Sequence, residues 1–207
     1  MKLSYAITVC NELQEITKLL NFLIKKRRKE DEIVILFDKK AGTPEVWSLL
    51  SELREEENIL YYSATFKNHF ANWKNKLTSY CSGDYIFQID ADECPHESLI
   101  SQLPVIIEAN PDNEVYLVPR VNTVKGLTEL HIQKWGWRVD GNGWVNFPDY
   151  QWRIYKNDPK INWINKVHEI LEGYETHAEL PHAKEYCLIH PKEIKRQEKQ
   201  NQFYNTL

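Results

Sequence analysis

Apolar residues at the start of the chain alternate between the pattern of a strand and the spacing of a helix. Residues 3–9 predict a short strand, and residues 32–37 form a nearly continuous apolar and β-branched run, typical of a strand covered on both faces. Between these runs, positions 13, 16, 20, 23 and 24 are apolar, which is the spacing of one helix face. The chain is therefore predicted to begin with a strand, a helix and a second strand.

The same alternation continues to about residue 110. Thr43 and Pro44 are typical of a helix start. An amphipathic helix over 43–53 is followed by a strand at 59–63, and a second one over 70–80 is followed by a strand at 85–89. Strands that alternate with helices form a parallel sheet with right-handed crossovers. We therefore predict an α/β fold with a Rossmann-like, mostly parallel central sheet flanked by helices.

The pattern changes at about residue 122. Five of the seven tryptophans fall between Trp135 and Trp163, interleaved with glycine and proline, which predicts a loop-rich region rather than another strand and helix unit. At 207 residues we expect one domain, with residues 1–121 as one half and 122–207 as a smaller, mixed C-terminal half. The other predicted elements are a helix over 99–107, strands over 115–121, 151–155 and 186–189, a short helix or turn at 167–169, and a charged helix over 192–207.

Polar residues stand where the predicted strands end. In open parallel sheets the ligand lies beyond the carboxyl ends of the strands. The residues at these ends are Thr8, Cys10, Asn11, Glu12, Asp38, Asp90 and Asp92. Asp90 and Asp92, two positions apart, offer oxygen ligands to a hard divalent cation, although Asp92 could instead cap the helix near Pro95. Asp38 at a neighbouring strand end favours the site, because several carboxylates at one edge repel each other unless they bind something.

The composition indicates a folded protein and excludes several partners. Hydrophobic residues make up 42% of the chain and charged residues 27%. The 26 Lys and Arg against 30 Asp and Glu give a net charge of −4, so no overall basic field predicts nucleic acid or anionic membrane as a partner. No apolar run is long enough for a transmembrane segment, and no signal-peptide pattern opens the chain, so we expect a cytoplasmic protein.

The four cysteines do not form a recognisable metal or disulfide pattern. They are scattered along the chain and include no Cys-x-x-Cys pair, which argues against a zinc knuckle or a disulfide framework. We expect reduced and mostly buried side chains at Cys10, Cys81, Cys94 and Cys187.

At this point the chain resembles a known family, the family 2 glycosyltransferases of the GT-A fold. The resemblance depends on Ile7 to Glu12 at the first strand end, on Asp38, and above all on the stretch from Asn75 through Gly83 to Asp90-Ala91-Asp92-Glu93. Gln151 to Tyr155, followed by Val167-His168-Glu169, is similar to the branch that includes lipopolysaccharide-core glucosyltransferases. The match extends over about residues 3 to 170.

The resemblance implies a GT-A fold and an inverting transfer of a sugar from a nucleotide-diphosphate sugar to a hydroxyl acceptor, such as a glycan. By family habit the nucleotide is UDP rather than GDP or dTDP, and the cofactor is Mn²⁺ or Mg²⁺, which neutralises the charge that develops on the departing diphosphate. Thr8, Cys10 and Asp38 would contact the base, Asp90 the ribose or the metal, and Asp92 the metal. The chain departs from the family at Cys10, where tyrosine is usual, and beside Asp38, where a second acidic residue is common.

The resemblance also assigns candidates in the second half of the chain. The family's usual acidic pair is not present as such, so Glu169 is the candidate general base, with Asp149 as the second candidate. The plainer interpretation of Glu169 is a carboxylate at a helix start. His190 is a candidate third metal ligand, whereas His168 fits a core histidine. Lys192, near Lys195 and Arg196, would meet the diphosphate or simply belong to a solvated basic face.

Three alternatives bear on this interpretation. A haloacid-dehalogenase type phosphatase carries its Asp-x-Asp after the first strand, and a sugar nucleotidyltransferase needs a glycine-rich loop there, whereas residues 8–14 contain no glycine. Both are excluded. A nucleotide-sugar or carbohydrate-binding module of the same fold, without catalysis, stays open.

Tryptophan mostly packs in cores, but its face also stacks on sugars, so at least one of four tryptophans is expected at the acceptor side. The four are Trp135, Trp137, Trp144 and Trp163.

Overall fold

The fold was analysed in a computed structural model that describes residues 1–53 and 58–204. Within these ranges the strands are β1 (Leu3–Val9), β2 (Glu32–Asp38), β3 (Ile59–Ala64), β4 (Tyr85–Asp90), β5 (Cys94–Pro95), β6 (Val115–Val118), β7 (Arg120–Lys125), β8 (Gln151–Lys156), β9 (Asn162–Ile164), β10 (Ile170–Glu172), β11 (His177–Glu179) and β12 (Leu188–Glu193). The helices are α1 (Leu13–Lys26), α2 (Pro44–Glu52), α3 (Phe70–Thr78), α4 (Glu97–Ala109), α5 (Glu129–Trp135) and α6 (Ile194–Tyr204).

The central sheet confirms the predicted α/β architecture. It has seven strands in the order β11-β6-β8-β4-β1-β2-β3. The strands β4, β1, β2 and β3 run parallel, whereas β8 is antiparallel to both of its neighbours, β4 and β6. The register aligns Thr8 of β1 with Leu36 of β2 and Asp90 of β4. The polar residues that follow β1, β2 and β4 are therefore brought to one edge of the sheet.

Helices cover both faces of this sheet. On one face, Tyr5 and Ile7 of β1 and Ile33 of β2 pack with buried apolar residues of α1, α2 and α4. On the other face, the intervening residues, such as Ala6 and Val34, pack with α3 and the β9–β10 hairpin. Because successive side chains of a strand point to opposite faces, a strand covered on both sides must be apolar throughout. This is the reason for the continuous apolar run in β2, where every residue is buried.

The second half of the chain builds two smaller sheets beside the central one. The strands β5, β12 and β7 form a three-stranded sheet, and β9 and β10 form a two-stranded hairpin. In the three-stranded sheet β12 runs parallel to β7 and antiparallel to β5. The helix α6 follows β12 directly. Since β5 comes shortly after β4, this small sheet lies next to the edge that carries Asp90.

The structure corrects several predicted elements in this half. The predicted strand over 115–121 is two strands of different sheets, β6 and β7, because Pro119 lies between them and lacks the N–H that a ladder needs. The predicted helix or turn at 167–169 is a bend before β10, in which His168 has a φ of 54°. The last strand extends to Glu193, so that α6 begins at Ile194 instead of 192.

Two expectations about side chains were also too simple. Among the four tryptophans for which a core position was favoured, only Trp163 is buried, and the other three are partly exposed. All four cysteines are free, but only Cys187 is buried, and the others are half-buried. Among the described residues, no helix combines the length and the apolar character that a membrane span requires.

Candidate active site

A cavity of about 820 Å³ opens at the carboxyl edge of the central sheet. Its walls come from the ends of β1, β2 and β4, from the small sheet, and from α3 and α6. It is lined by all eleven residues that the sequence analysis selected: Thr8, Cys10, Asn11, Glu12, Asp38, Asp90, Asp92, Asp149, Glu169, His190 and Lys192. The prediction that these side chains lie close together agrees with the structure, although their individual roles are not tested by it.

The loop after β1 and the end of β2 are shaped by two carboxylates. Glu12 Oε2 accepts hydrogen bonds from the backbone N–H groups of Cys10 at 2.8 Å and Asn11 at 3.0 Å. The Oδ1 of Asp38, a buried residue, accepts from the backbone N–H groups of Lys40 at 3.0 Å and Phe66 at 3.1 Å. Burial and these two carboxylates raise the pKa of the Cys10 thiol to about 11, so Cys10 is neutral at physiological pH.

The floor of the cavity is a chain of ion pairs in which Arg153 and Glu93 are buried and the other residues are partly buried. Arg153 Nη2 donates to Asp90 Oδ2 at 2.7 Å and to Glu93 Oε1 at 2.6 Å. Arg120 Nη1 donates to the same Glu93 oxygen at 2.9 Å, and Arg120 Nε donates to Asp149 Oδ2 at 2.9 Å. Glu93 is buried. Because both arginines donate to the same oxygen of its carboxylate, Glu93 joins Arg153, which pairs with Asp90, to Arg120, which pairs with Asp149.

These contacts fix the charge states of Asp90 and Arg153. Burial acts to raise the pKa of Asp90, but the charges of Arg153 and Lys74 outweigh it and hold that pKa well below its usual range. Burial acts to lower the pKa of Arg153, and the charges of Asp90 and Glu93 raise it above the usual value. The carboxylate of Asp90 is thus already neutralised by residues of the chain before any ligand binds.

The side chains of Asp92 and His190 face each other in the cavity. Asp92 Oδ2 lies 3.3 Å from His190 Nε2, and His190 Nδ1 lies 2.7 Å from Asn122 Oδ1. The amide nitrogen of Asn122 donates to Asp149 Oδ2 at 2.6 Å, which fixes the direction of the amide and makes its oxygen an acceptor for the Nδ1–H of His190. In the neutral imidazole the Nε2 lone pair is consequently directed toward Asp92. In the protonated imidazole Nε2 instead donates to Asp92; burial acts to raise the pKa of Asp92, but this hydrogen bond and the charge of His190 outweigh it and hold that pKa well below its usual range.

This pair fits a divalent cation, whereas a three-ligand site is not formed. Within residues 1–53 and 58–204, no group of three or more His, Cys, Asp or Glu side chains is placed to hold a metal ion. Two ligands of one Mg²⁺ ion, at about 2.1 Å and at right angles, lie about 3 Å apart, close to the separation of Asp92 Oδ2 and His190 Nε2. Mg²⁺ is usually held by one or two protein groups, with water and substrate phosphates completing its shell. Asp90, the third predicted ligand, is instead engaged by Arg153.

The two candidate bases have different surroundings. Glu169 Oε1 lies 2.6 Å from the ammonium of Lys74, a buried residue whose Nζ is 4.5 Å from the centre of the Trp163 ring. Asp149 is bound on both oxygens: Oδ2 accepts from Arg120 and Asn122, and Oδ1 accepts from Gln151 Nε2 at 2.9 Å. With its lone pairs occupied in this way, Asp149 is better placed to orient its neighbours than to accept a proton.

The helix α6 closes one side of the cavity with basic residues. Burial lowers the pKa of Lys192, whose ammonium donates to Gln200 Oε1 at 2.5 Å. Arg196 Nη1 lies 2.7 Å from Glu15 Oε1 and its Nη2 lies 3.4 Å from Asp92 Oδ2. Of the three predicted basic residues, Lys192 of β12 and Arg196 of α6 line this cavity and Lys195 does not, and Arg196 is in direct contact with Asp92.

Sequence reasoning did not single out Lys74, Arg120 or Asn122, although each lines the cavity. A signal for Lys74 was present, because it lies four residues after Phe70 and three before Leu77, on the apolar face of α3. A lysine on such a face must find a charged partner. No comparable signal marks Arg120 or Asn122, because β7 was not predicted: Arg120 fell at the end of the predicted strand over 115–121, and Asn122 fell in the loop-rich region after it.

Comparison with known proteins adds a family to this geometry. A family model described as glycosyl transferase family 2 matches residues 4–172. TarS residues 1–349 from S. aureus, in complex with UDP, is similar with a TM-score of 0.65 at 17% identity over 92% of this chain and 60% of that chain. The same fragment in complex with UDP-GlcNAc gives a TM-score of 0.59 at 17% identity over 88% and 60% of the two chains. No curated protein sequence matches the chain.

The fold and the cavity together define an α/β protein with a charged ligand site at the carboxyl edge of its sheet. The chain belongs to glycosyl transferase family 2, since the family model covers most of its length, and its fold is of the GT-A type. The chain spans 60% of that TarS fragment and 23% of a longer TarS chain. The more specific similarity to lipopolysaccharide-core glucosyltransferases stays a prediction.

Proposed function

We propose that the protein is a metal-dependent, inverting glycosyltransferase that moves a sugar from a nucleotide-diphosphate sugar, with UDP favoured, to a hydroxyl of a glycan. The observation that carries the proposal is the Asp92–His190 pair, with its 3.3 Å separation, in a cavity that also contains the strand-end residues of the sheet. Membership of glycosyl transferase family 2 and similarity to TarS structures that hold UDP and UDP-GlcNAc support it.

The donor would lie across the ends of β1, β2 and β4. Asp38 and the β1 loop, with Thr8, Cys10, Asn11 and Glu12, would contact the nucleoside, and Asp90 the ribose or the metal. Lys192 would approach the diphosphate. Asp92 and His190 would hold Mn²⁺ or Mg²⁺, which when bound supplies positive charge to the leaving diphosphate. In this arrangement residues 1–121 bind the nucleoside side of the donor, and residues 122–207 supply the acceptor side together with His190 and Lys192 at the diphosphate.

The acceptor would be activated by Glu169. The Glu169 carboxylate lines the same cavity as Asp90 and lies between β9 and β10. An acceptor hydroxyl beside Glu169 would then approach the sugar from the side opposite the diphosphate. Glu169 removes the proton of that hydroxyl, the oxygen forms a bond to the anomeric carbon, and in the same displacement the bond from that carbon to the diphosphate oxygen breaks and the nucleoside diphosphate leaves. Lys74 and Arg153 keep the carboxylates around the reacting atoms compensated by positive charge.

Trp137 is partly exposed and also lines the cavity, and the acceptor sugar would stack on the face of its ring.

A thermal-shift screen of nucleotides and nucleotide sugars, with and without Mn²⁺, tests this proposal. A ligand that binds only the folded state stabilises it by RT ln(1 + [L]/Kd), about 2.7 kcal/mol at a hundredfold excess over Kd. We expect UDP or a UDP-sugar to raise the melting temperature by several degrees with Mn²⁺ present and by much less with EDTA. No shift with any nucleotide would contradict the proposal. A shift without release of UDP from any donor would instead favour the non-catalytic binding module.

A further inference from the structure

The guanidinium of Arg196 occupies an unusual position at the mouth of the cavity. Its Nη2 lies 3.4 Å from Asp92 Oδ2 and 3.5 Å from Glu12 Oε1, and its Nη1 lies 2.7 Å from Glu15 Oε1. One positive charge is thus shared by three carboxylates, of which Asp92 is the residue that the proposed function needs for a divalent ion. The side chain of Arg196 remains about one third exposed, so it can move.

A metal ion and Arg196 cannot both neutralise Asp92. The guanidinium contacts Asp92 Oδ2, the same oxygen that faces His190. An ion bound at about 2.1 Å from that oxygen would lie within a few ångströms of the guanidinium, where two like charges repel each other. Arg196 must therefore leave Asp92 when an ion arrives, and its charge is then available to another anion in the cavity.

The contacts that hold α6 permit such a movement. Apart from Arg196, they include the Lys192–Gln200 hydrogen bond and a 3.6 Å contact between His131 and Glu198, an exposed residue. The Lys192–Gln200 hydrogen bond is part-buried, whereas the exposed contact of His131 with Glu198 contributes little free energy, about 0 to 1 kcal/mol. The inner side of α6 also brings Lys199 to the cavity wall. Partly exposed basic side chains at the cavity wall suit a diphosphate that enters and leaves.

We propose that Arg196 is an exchangeable counter-ion of the donor site. Without donor, Arg196 neutralises Asp92 and Glu12. When a nucleoside diphosphate enters with its divalent ion, the ion takes Asp92, and Arg196 leaves its ion pair with Asp92 and donates hydrogen bonds to the diphosphate oxygens, whose geometry a guanidinium matches in a bidentate manner. This inference rests on the proposed function, because it requires the donor to bind at Asp92. It adds that the chain itself limits the binding of a metal without a nucleotide.

The test measures Mn²⁺ and UDP binding separately, with no turnover involved. Electron paramagnetic resonance counts free Mn²⁺, and calorimetry gives the affinity for UDP in saturating Mn²⁺. For Arg196→Gln we expect Mn²⁺ alone to bind about two- to fivefold more tightly, the range of one exposed ion pair, and UDP to bind about tenfold more weakly, because a charge-assisted hydrogen bond is lost. Lys125→Gln is the matched control, since it removes the same charge from an 83% exposed side chain that pairs with Glu193 at 3.2 Å.

A simple loss of one positive charge would act on Arg196→Gln and Lys125→Gln alike, so the comparison of the two variants separates that effect from this inference. The inference is overturned if Arg196→Gln binds Mn²⁺ no more tightly than the wild type, or if its UDP affinity equals that of Lys125→Gln. In either case, UDP binding by the wild type would leave the proposed function intact. A wild-type protein that binds UDP under no condition overturns both.

Discussion

Replacing Glu169 with glutamine is expected to reduce the release of UDP from its sugar donor by about 10²- to 10⁴-fold, the contribution typical of a general base. The amide keeps the size of the side chain but cannot accept the proton of the acceptor hydroxyl. Lys74 loses the ion pair to Glu169 but retains Asp90, 4.0 Å away, as a neighbouring charge, so the cavity floor stays compensated. The affinity for UDP should change by less than about threefold, because the base touches the acceptor and not the nucleotide.

Glu172→Gln provides the matched control for this change, because Glu172 is exposed and lies on the same hairpin, in β10. Steady-state turnover and calorimetric UDP binding should be measured on both variants. Turnover by Glu169→Gln equal to that of the control would exclude Glu169 as the base and transfer the role to Asp149, despite the donors that occupy its oxygens.

Replacing Asp92 with asparagine should abolish the Mn²⁺-dependent part of the stabilisation by UDP. The loss of a group that only orients a metal ligand typically costs 10- to 100-fold in metal affinity, so removal of the ligand's charge should cost at least about 100-fold. Turnover should fall with it, because the leaving diphosphate is then neutralised less well. The measurement is the melting temperature with UDP, with and without Mn²⁺.

Two comparisons make the Asp92 result interpretable. Asp112→Asn, at an exposed position that does not line the cavity, controls for the loss of one carboxylate. The melting temperature without ligand shows whether Asp92→Asn disturbs the fold, since His190 and Arg196 both lose a partner. If UDP and Mn²⁺ stabilise Asp92→Asn as much as the wild type, Asp92 is not a ligand of the ion.

The sequence was informative about the edge of the sheet for a physical reason. A buried strand such as β2 is apolar throughout, so a carboxylate at its end, Asp38, stands out, and the parallel arrangement then places Asp90 and Thr8 beside it. Each of these steps depends only on local periodicity and on the regular connection of strands and helices. The fold class and the shared location of the candidate residues could be predicted in this way.

The partners of those residues could not be predicted, because they come from distant parts of the chain. Asp90 pairs with Arg153, which is 63 positions away, and the link from Arg153 through Glu93 to Arg120 depends on the antiparallel insertion of β8 between β4 and β6. No periodicity encodes that insertion. The contact between Arg196 and Asp92 likewise requires the direction in which α6 leaves β12. The sequence predicted that Lys192 and Arg196 lie near a diphosphate, but it did not predict that Arg196 contacts Asp92, a candidate metal ligand.

The proposed function requires Asp92 and His190 together to hold a divalent ion against a diphosphate. Anomalous diffraction from crystals grown with Mn²⁺ and UDP tests this requirement, because the manganese position is located independently of the light atoms. We expect one strong peak about 2.2 Å from both Asp92 Oδ2 and His190 Nε2, with the UDP phosphates adjacent to it. Bound UDP with manganese elsewhere, or with no manganese peak at all, would contradict this requirement.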